Sequence, residues 1–181
     1  MLPIHIPEGE LYDSEKNEFI YIKEQNWKLE HSLISISKWE SKWKKSFFEE
    51  RELSPDELKS YVECMIINPT YDRNALELID ENTLNDIVAY MGDPMTATTF
   101  SNQDKKKGRG KKTTTEEIYY LMTQFGINWE AEKWHFNRLM TLIQICDIRS
   151  RPPKKIPRRK QLQDQRALNE ARRRQSKAGR R

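Results

Sequence analysis

The side chains best suited to metal or nucleophile chemistry are three histidines, His5, His31 and His135, and two cysteines, Cys64 and Cys146. A zinc site gathers four such ligands at short spacings, as in CxxC and HxxxH. Here no two histidines share a helical turn, and neither cysteine has a partner at that spacing. Gly108-Arg109-Gly110-Lys111-Lys112-Thr113 has the residue types of a phosphate loop. It lacks the G-x-x-x-x-G-K-[ST] spacing, and no predicted strand runs into it. Nucleophile-elbow and zinc-protease patterns are missing too. The reading is a protein with no catalytic, cofactor or metal site.

Positive charge is the stronger signal. Arg158, Arg159 and Lys160 form one cluster, Arg172, Arg173 and Arg174 another, with Arg166 between them. The clusters lie about four helical turns apart, so one helical face can present both. Such a face neutralises RNA or DNA phosphates, binds an acidic protein surface, or solubilises the chain against its own acidic body. The tail holds no aromatic residue, which removes the platform on which single-stranded bases stack. Residues 152–181 contain 12 Lys+Arg and 2 Asp+Glu, whereas residues 1–151 contain 20 and 26. Trp39 and Trp43, four residues apart, share one helical face. They read first as core, with an interface anchor as the alternative.

Residues 1–22 read as a β element: the extended Pro3-Ile4-His5-Ile6-Pro7, then two β-prone stretches around a polar turn, which suits a hairpin. Residues 29–45 read as a helix, with Leu29, Leu33, Ile36, Trp39 and Trp43 on one side. Ser54-Pro55-Asp56-Glu57 spells a capping box with proline at the first helical position. Its stripe is Leu58, Tyr61, Val62, Met65 and Ile66, ended by Asn68-Pro69. A further helix over 83–91 turns Leu84, Ile87, Val88 and Met91 inward and ends at Gly92.

Residues 101–113 contain no aliphatic or aromatic side chain and read as a mobile loop. Thr114 and Glu117 then spell a second capping box, and Gly126 closes that helix. Asn128 is expected to cap one long helix to about 148, with Ala131, Trp134, Leu139, Leu142, Ile143 and Cys146 on its buried face. Pro152-Pro153 and Pro157 mark a linker. Residues 158–175 favour a fluctuating helix that forms fully on a partner. The expected fold class is mainly α: a compact helical domain over 1–151 with a small N-terminal β hairpin, and a basic, partly helical tail over 152–181.

The chain has 181 residues, 36% hydrophobic and 33% charged, so its core must come from a subset of segments. Five Trp, seven Tyr and six Phe argue against wholesale disorder. The cysteines read as buried free thiols of a reducing compartment. No signal-peptide pattern opens the sequence and no apolar run approaches the roughly 20 residues of a membrane span, so an intracellular protein without membrane contact is expected.

The tryptophan-rich block at 29–43, LEHSLISISKWESKW, resembles a family of small tailed-bacteriophage morphogenesis proteins labelled tail assembly chaperones. Further blocks are similar in the same order: DPMTATTF at 93–100, EIYY at 117–120, KWHFNRL at 133–139, PPKK at 152–155 and ALNEARR at 167–173. The resemblance implies a non-enzymatic protein that binds the tape-measure or tail tube protein during tail assembly, in the host cytoplasm or on the virion. The alternative reading is a minor virion or nucleic-acid-associated protein that uses its basic tail non-specifically. No binding residue and no oligomeric state carries over from the family.

Overall fold

The computed structural model describes residues 1–14, 17–49, 53–100, 113–152, 162–163, 165–170 and 172–173. The chain divides into two units, Met1–Arg149 and Ser150–Arg181. The first begins with four strands: β1 (Leu2–Ile6), β2 (Gly9–Asp13), β3 (Glu18–Ile22) and β4 (Gln25–Leu29). β1 pairs antiparallel with β4, Ile4 opposite Trp27, and β2 pairs with β3, Tyr12 opposite Phe19.

The expected fold class, a compact helical domain with one small hairpin, is corrected by this pairing. Among the described residues there are two separate two-stranded sheets, one nested inside the other in sequence. The extended 3–7 stretch is a paired strand, and Leu29 ends a strand where a helix was expected to start. Along β4, Trp27 and Leu29 are buried while Asn26 and Lys28 are exposed, the two-residue period of a half-buried strand. Leu29 also stands four residues before Leu33, and that coincidence mimics helical spacing. Pro3 is tolerated because β1 is paired on one side only, so its missing N–H costs no ladder bond. Across β4 from β1, Leu29 bridges Ile66, and the Ile67 N–H donates to the Lys28 carbonyl at 2.9 Å.

The helices are α1 (Leu33–Trp43), α2 (Pro55–Met65), α3 (Glu81–Gly92), α4 (Thr115–Gln124) and α5 (Phe136–Ser150), with 3-10 turns at Arg73–Leu78 and Trp129–Lys133. α1 starts where Ser32 accepts the Ser35 N–H, and buries Leu33, Ile36 and Trp39. α2 has its capping box: the Glu57 N–H donates to Ser54 Oγ at 3.3 Å and the Ser54 N–H to Glu57 Oε2 at 3.0 Å. α3 is capped by Asp80, earlier than expected, and Tyr90 rather than Val88 turns inward beside Ile87. Gly92 is its last helical residue, and the extended Asp93 ends it.

The expected capping box of α4 does not form, since Thr114 makes no side-chain cap bond. The start of α4 is held from another helix instead. Glu40 Oε2 accepts the Thr115 N–H at 3.0 Å and hydroxyl at 2.6 Å, and Glu40 Oε1 accepts the Phe47 N–H at 2.8 Å. A charged acceptor at a helix N-terminus satisfies an orphan donor and meets the positive end of the dipole. Glu40→Ala is therefore expected to cost about 2–3 kcal/mol in urea denaturation, because two backbone donors lose an ionised partner. An unchanged midpoint would show water replacing the carboxylate without loss. The other end of α4 closes as expected at Gly126, whose φ of 64° admits the bonds Ile127 N–H to Met122 carbonyl and Gly126 N–H to Thr123 carbonyl.

The long helix expected from Asn128 is interrupted. Asn128 caps only the 3-10 turn, accepting the Glu130 N–H at 3.0 Å. His135 then bridges Ser32, and the Phe136 N–H donates to the His31 carbonyl at 2.7 Å. This backbone pairing pulls Trp134 and His135 out of helical geometry. Trp134, expected on the buried face, is 38% exposed with the Arg138 guanidinium 4.7 Å from its ring centre. Both cysteines are half-buried free thiols.

The expected loop at 101–113 lies outside the described residues except Thr113, whose carbonyl accepts the Ser46 hydroxyl at 2.6 Å. In the second unit, the described residues 162–163, 165–170 and 172–173 are helical and exposed. Among the described residues no helix is long and apolar enough to cross a membrane.

Candidate functional site

The two sequence-nominated tryptophans are together, with ring centres 6.0 Å apart and planes 23° from parallel. Trp39 is fully buried and its indole N–H donates to the Glu57 carbonyl at 3.0 Å. It offers a partner nothing. Trp43 is half-buried, donates to Ser60 Oγ at 3.0 Å, and lines a surface hollow of about 350 Å³. The charges around that hollow neutralise one another: Glu63 pairs with Lys42 at 3.3 Å and Arg73 at 2.9 Å, and Lys59 pairs with Glu77 at 2.6 Å. Of the nominated tail residues, Arg166, Arg172 and Arg173 sit on the exposed helix. Arg158, Arg159, Lys160 and Arg174 lie outside the described residues.

Sequence reasoning missed a buried polar cluster at the start of α1. The Tyr61 hydroxyl lies 2.5 Å from Nδ1 of His31, whose ring meets that of His135 edge-on at 5.2 Å. Nε2–H of His135 donates to the Tyr90 carbonyl at 3.1 Å, and the Tyr90 hydroxyl donates to Glu30 Oε1 at 2.7 Å. Burial, and then the neighbouring His135, pull the His31 pKa down to about 3. Burial pushes the Tyr61 phenol well above its ordinary value, and burial plus the Glu30 bond do the same to Tyr90. The two imidazoles, fixed by backbone and phenol partners, tie the β4–α1 turn to α2, α3 and the start of α5. Among the described residues no group of three or more His, Cys, Asp or Glu side chains could hold a metal ion. Spacing gives no hint of this cluster, since its members come from four distant elements.

A second missed feature is the outer face of the β2–β3 ribbon. Tyr12, Phe19 and Tyr21 are 55%, 71% and 56% exposed, while Leu11, Ile20 and Ile22 on the inner face pack on the core. Tyr12 and Phe19 touch as a cross-strand pair, with ring centres 5.1 Å apart. The Tyr21 hydroxyl donates to Glu8 at 2.5 Å, and that bond holds its pKa above the usual range. At Gly9 the ribbon passes close to the body, since a Cβ there would lie 3.0 Å from a methyl of Leu78. The sequence carries a signal for this face. Phe19-Ile20-Tyr21-Ile22 is apolar at every position, and a ribbon can bury only one of its two faces.

A third feature is a recess of about 390 Å³ between α1, the end of α2 and the 3-10 turn before α5. Ile34, Met65, Ile66 and Ile67 supply its apolar wall, and Lys38 and Lys133 stand exposed at its rim. Cys64 also lines it, its thiol pKa raised by burial. Glu30 at the edge is already engaged, by the Tyr90 hydroxyl and by the Met1 ammonium at 3.0 Å.

No protein-family model, no curated protein and no solved structure matches the chain.

Proposed function

We propose that the chain is a non-enzymatic phage morphogenesis protein, a tail assembly chaperone that binds the tape-measure or tail tube protein in the host cytoplasm. The observation that carries this reading is the aromatic face of the β2–β3 ribbon. Three rings, each more than half exposed, are held on a strand pair whose other face is packed on the core. Large exposed aromatics on a rigid support lose little entropy on binding and dominate interface energies. The order of blocks at 29–43, 93–100, 117–120 and 133–139 supplies the phage context by resemblance.

The test is co-expression of the full chain with the tape-measure and tube proteins of the same phage, followed by affinity purification. The expected result is a stoichiometric complex with one of them. Phe19→Ala is expected to weaken it by about 2 kcal/mol, roughly thirtyfold in Kd. A complex indifferent to Phe19, Tyr12 and Tyr21 would remove the ribbon from the interface. The second reading, nucleic-acid binding, is favoured by the charge of +10 on residues 152–181 and the exposure of the described tail helix. Under that reading the purified chain retains nucleic acid instead, and loses it steeply as salt rises.

A further inference from the structure

We infer that the recess beside α1 is a binding site for an acidic, aliphatic protein segment: apolar side chains enter the recess while carboxylates meet Lys38 and Lys133. The inference rests on the reading of the chain as a client-binding protein and names the chemistry of what it takes there.

The recess falls near the lower end of the about 300–1,000 Å³ typical of ligand sites, enough for a few side chains and too small for a large cofactor. Its wall is aliphatic, and Ile67, 51% exposed, carries that character out to the surface. Lys38 and Lys133 make no hydrogen bond or ion pair among the described residues. Lys42, Lys45 and Lys59, by contrast, each have a carboxylate within 3.3 Å. The one acidic side chain lining the recess, Glu30, is already neutralised, so an incoming carboxylate meets a net positive rim.

The geometry also separates a protein segment from a single-headed amphiphile. Lys38 belongs to α1 and Lys133 to the 3-10 turn Trp129–Lys133, so the ammonium groups approach from two different elements. A fatty acid offers one carboxylate, whereas a segment with acidic residues on either side of an aliphatic anchor offers one to each lysine. Ion pairs at such a rim set specificity and encounter rate, while the apolar contact supplies most of the affinity.

Cys64 in the recess wall is a built-in reporter, and the half-buried Cys146 in α5 is the internal control. The full chain is alkylated with N-ethylmaleimide and both sites are quantified by mass spectrometry. The probe is a synthetic amphipathic peptide of Leu, Glu and Ala. Present at about ten times its measured Kd, it is expected to slow Cys64 alkylation about tenfold by mass action, with Cys146 unchanged. The same peptide with Gln for Glu should protect little, and Lys38→Glu with Lys133→Glu should abolish protection while the fold, checked by melting, persists. Equal protection by the Gln peptide would overturn the role of the lysines. Protection by dodecanoate alone would make this a site for a lipid-like anion and overturn the protein segment. No protection by any probe would overturn the site. Co-purification with a tail protein while Cys64 stays unprotected defeats this inference alone; the reverse pattern defeats the client reading alone.

Discussion

Trp39→Ala is expected to destabilise the Met1–Arg149 unit by about 3–5 kcal/mol, the range for truncating a buried Trp. The indole is fully buried, stacks on Trp43 and meets Phe47 edge-on at 5.4 Å. Truncation leaves a cavity that the α1–α2 contact cannot close, and it removes the indole donor that ties the Glu57 carbonyl to α1. Because Glu57 also holds the cap of α2, the loss is expected to loosen the start of that helix. Trp134→Ala is the internal comparison. Its ring is 38% exposed and its specific contact is the Arg138 stack, worth about 0.5–1 kcal/mol at an exposed site. Urea denaturation followed by far-UV circular dichroism reads both variants. Equal losses would mean that the break before α5 is absent in solution.

The contrast between these tryptophans shows what the sequence could and could not reveal. Signals that act within one turn were legible: the Ser54–Glu57 box, Gly126 at its positive φ, and the Tyr61, Val62 and Met65 stripe. Signals that a distant residue overrides were not. Thr114 has a suitable side chain and partner for a capping box, yet it makes no cap bond, and the start of α4 is held through Thr115 by the Glu40 carboxylate, which tertiary packing brings there. Asn128 through Ile148 satisfies helical periodicity, yet the pairing of His135 with Ser32 breaks it. Leu29 fitted a helix by spacing because single-residue coincidences cannot separate periods of 3.6 and 2. The site was less legible still. Periodicity joined Trp39 and Trp43 on one face, with Trp39 inside the core and Trp43 half-buried against it. The surfaces left for a partner combine residues 34, 38, 64–67 and 133, or depend on which side of a ribbon is covered. Neither property is local to the chain.

Acid is expected to unfold the protein well before general carboxylate protonation alone would, and His31 is the reason. Its pKa falls from 6.5 to about 3 on folding because the ring is desolvated and faces His135, while the other neighbouring polar group, the Tyr61 hydroxyl, carries no charge. The folded state therefore resists a proton that the unfolded chain accepts readily. Above pH 6.5 both states are neutral at His31 and no penalty exists. Between about pH 6.5 and pH 3 the unfolded state binds the extra proton, so stability falls as pH falls, by about 1.4 kcal/mol per unit from this group. Across the whole window the loss is on the order of 4 kcal/mol. That is a large fraction of the roughly 5–15 kcal/mol that holds an ordinary domain together. His31→Gln keeps an acceptor for the Tyr61 hydroxyl without a titrating ring. It is expected to be less stable at pH 7 through imperfect packing, yet to lose stability more slowly between pH 6 and pH 4, so that the two curves converge. Carboxylates titrate in both proteins and cancel in the comparison. Parallel curves would show that His31 takes up its proton in the folded state, and that water reaches the joint between the β4–α1 turn and α2.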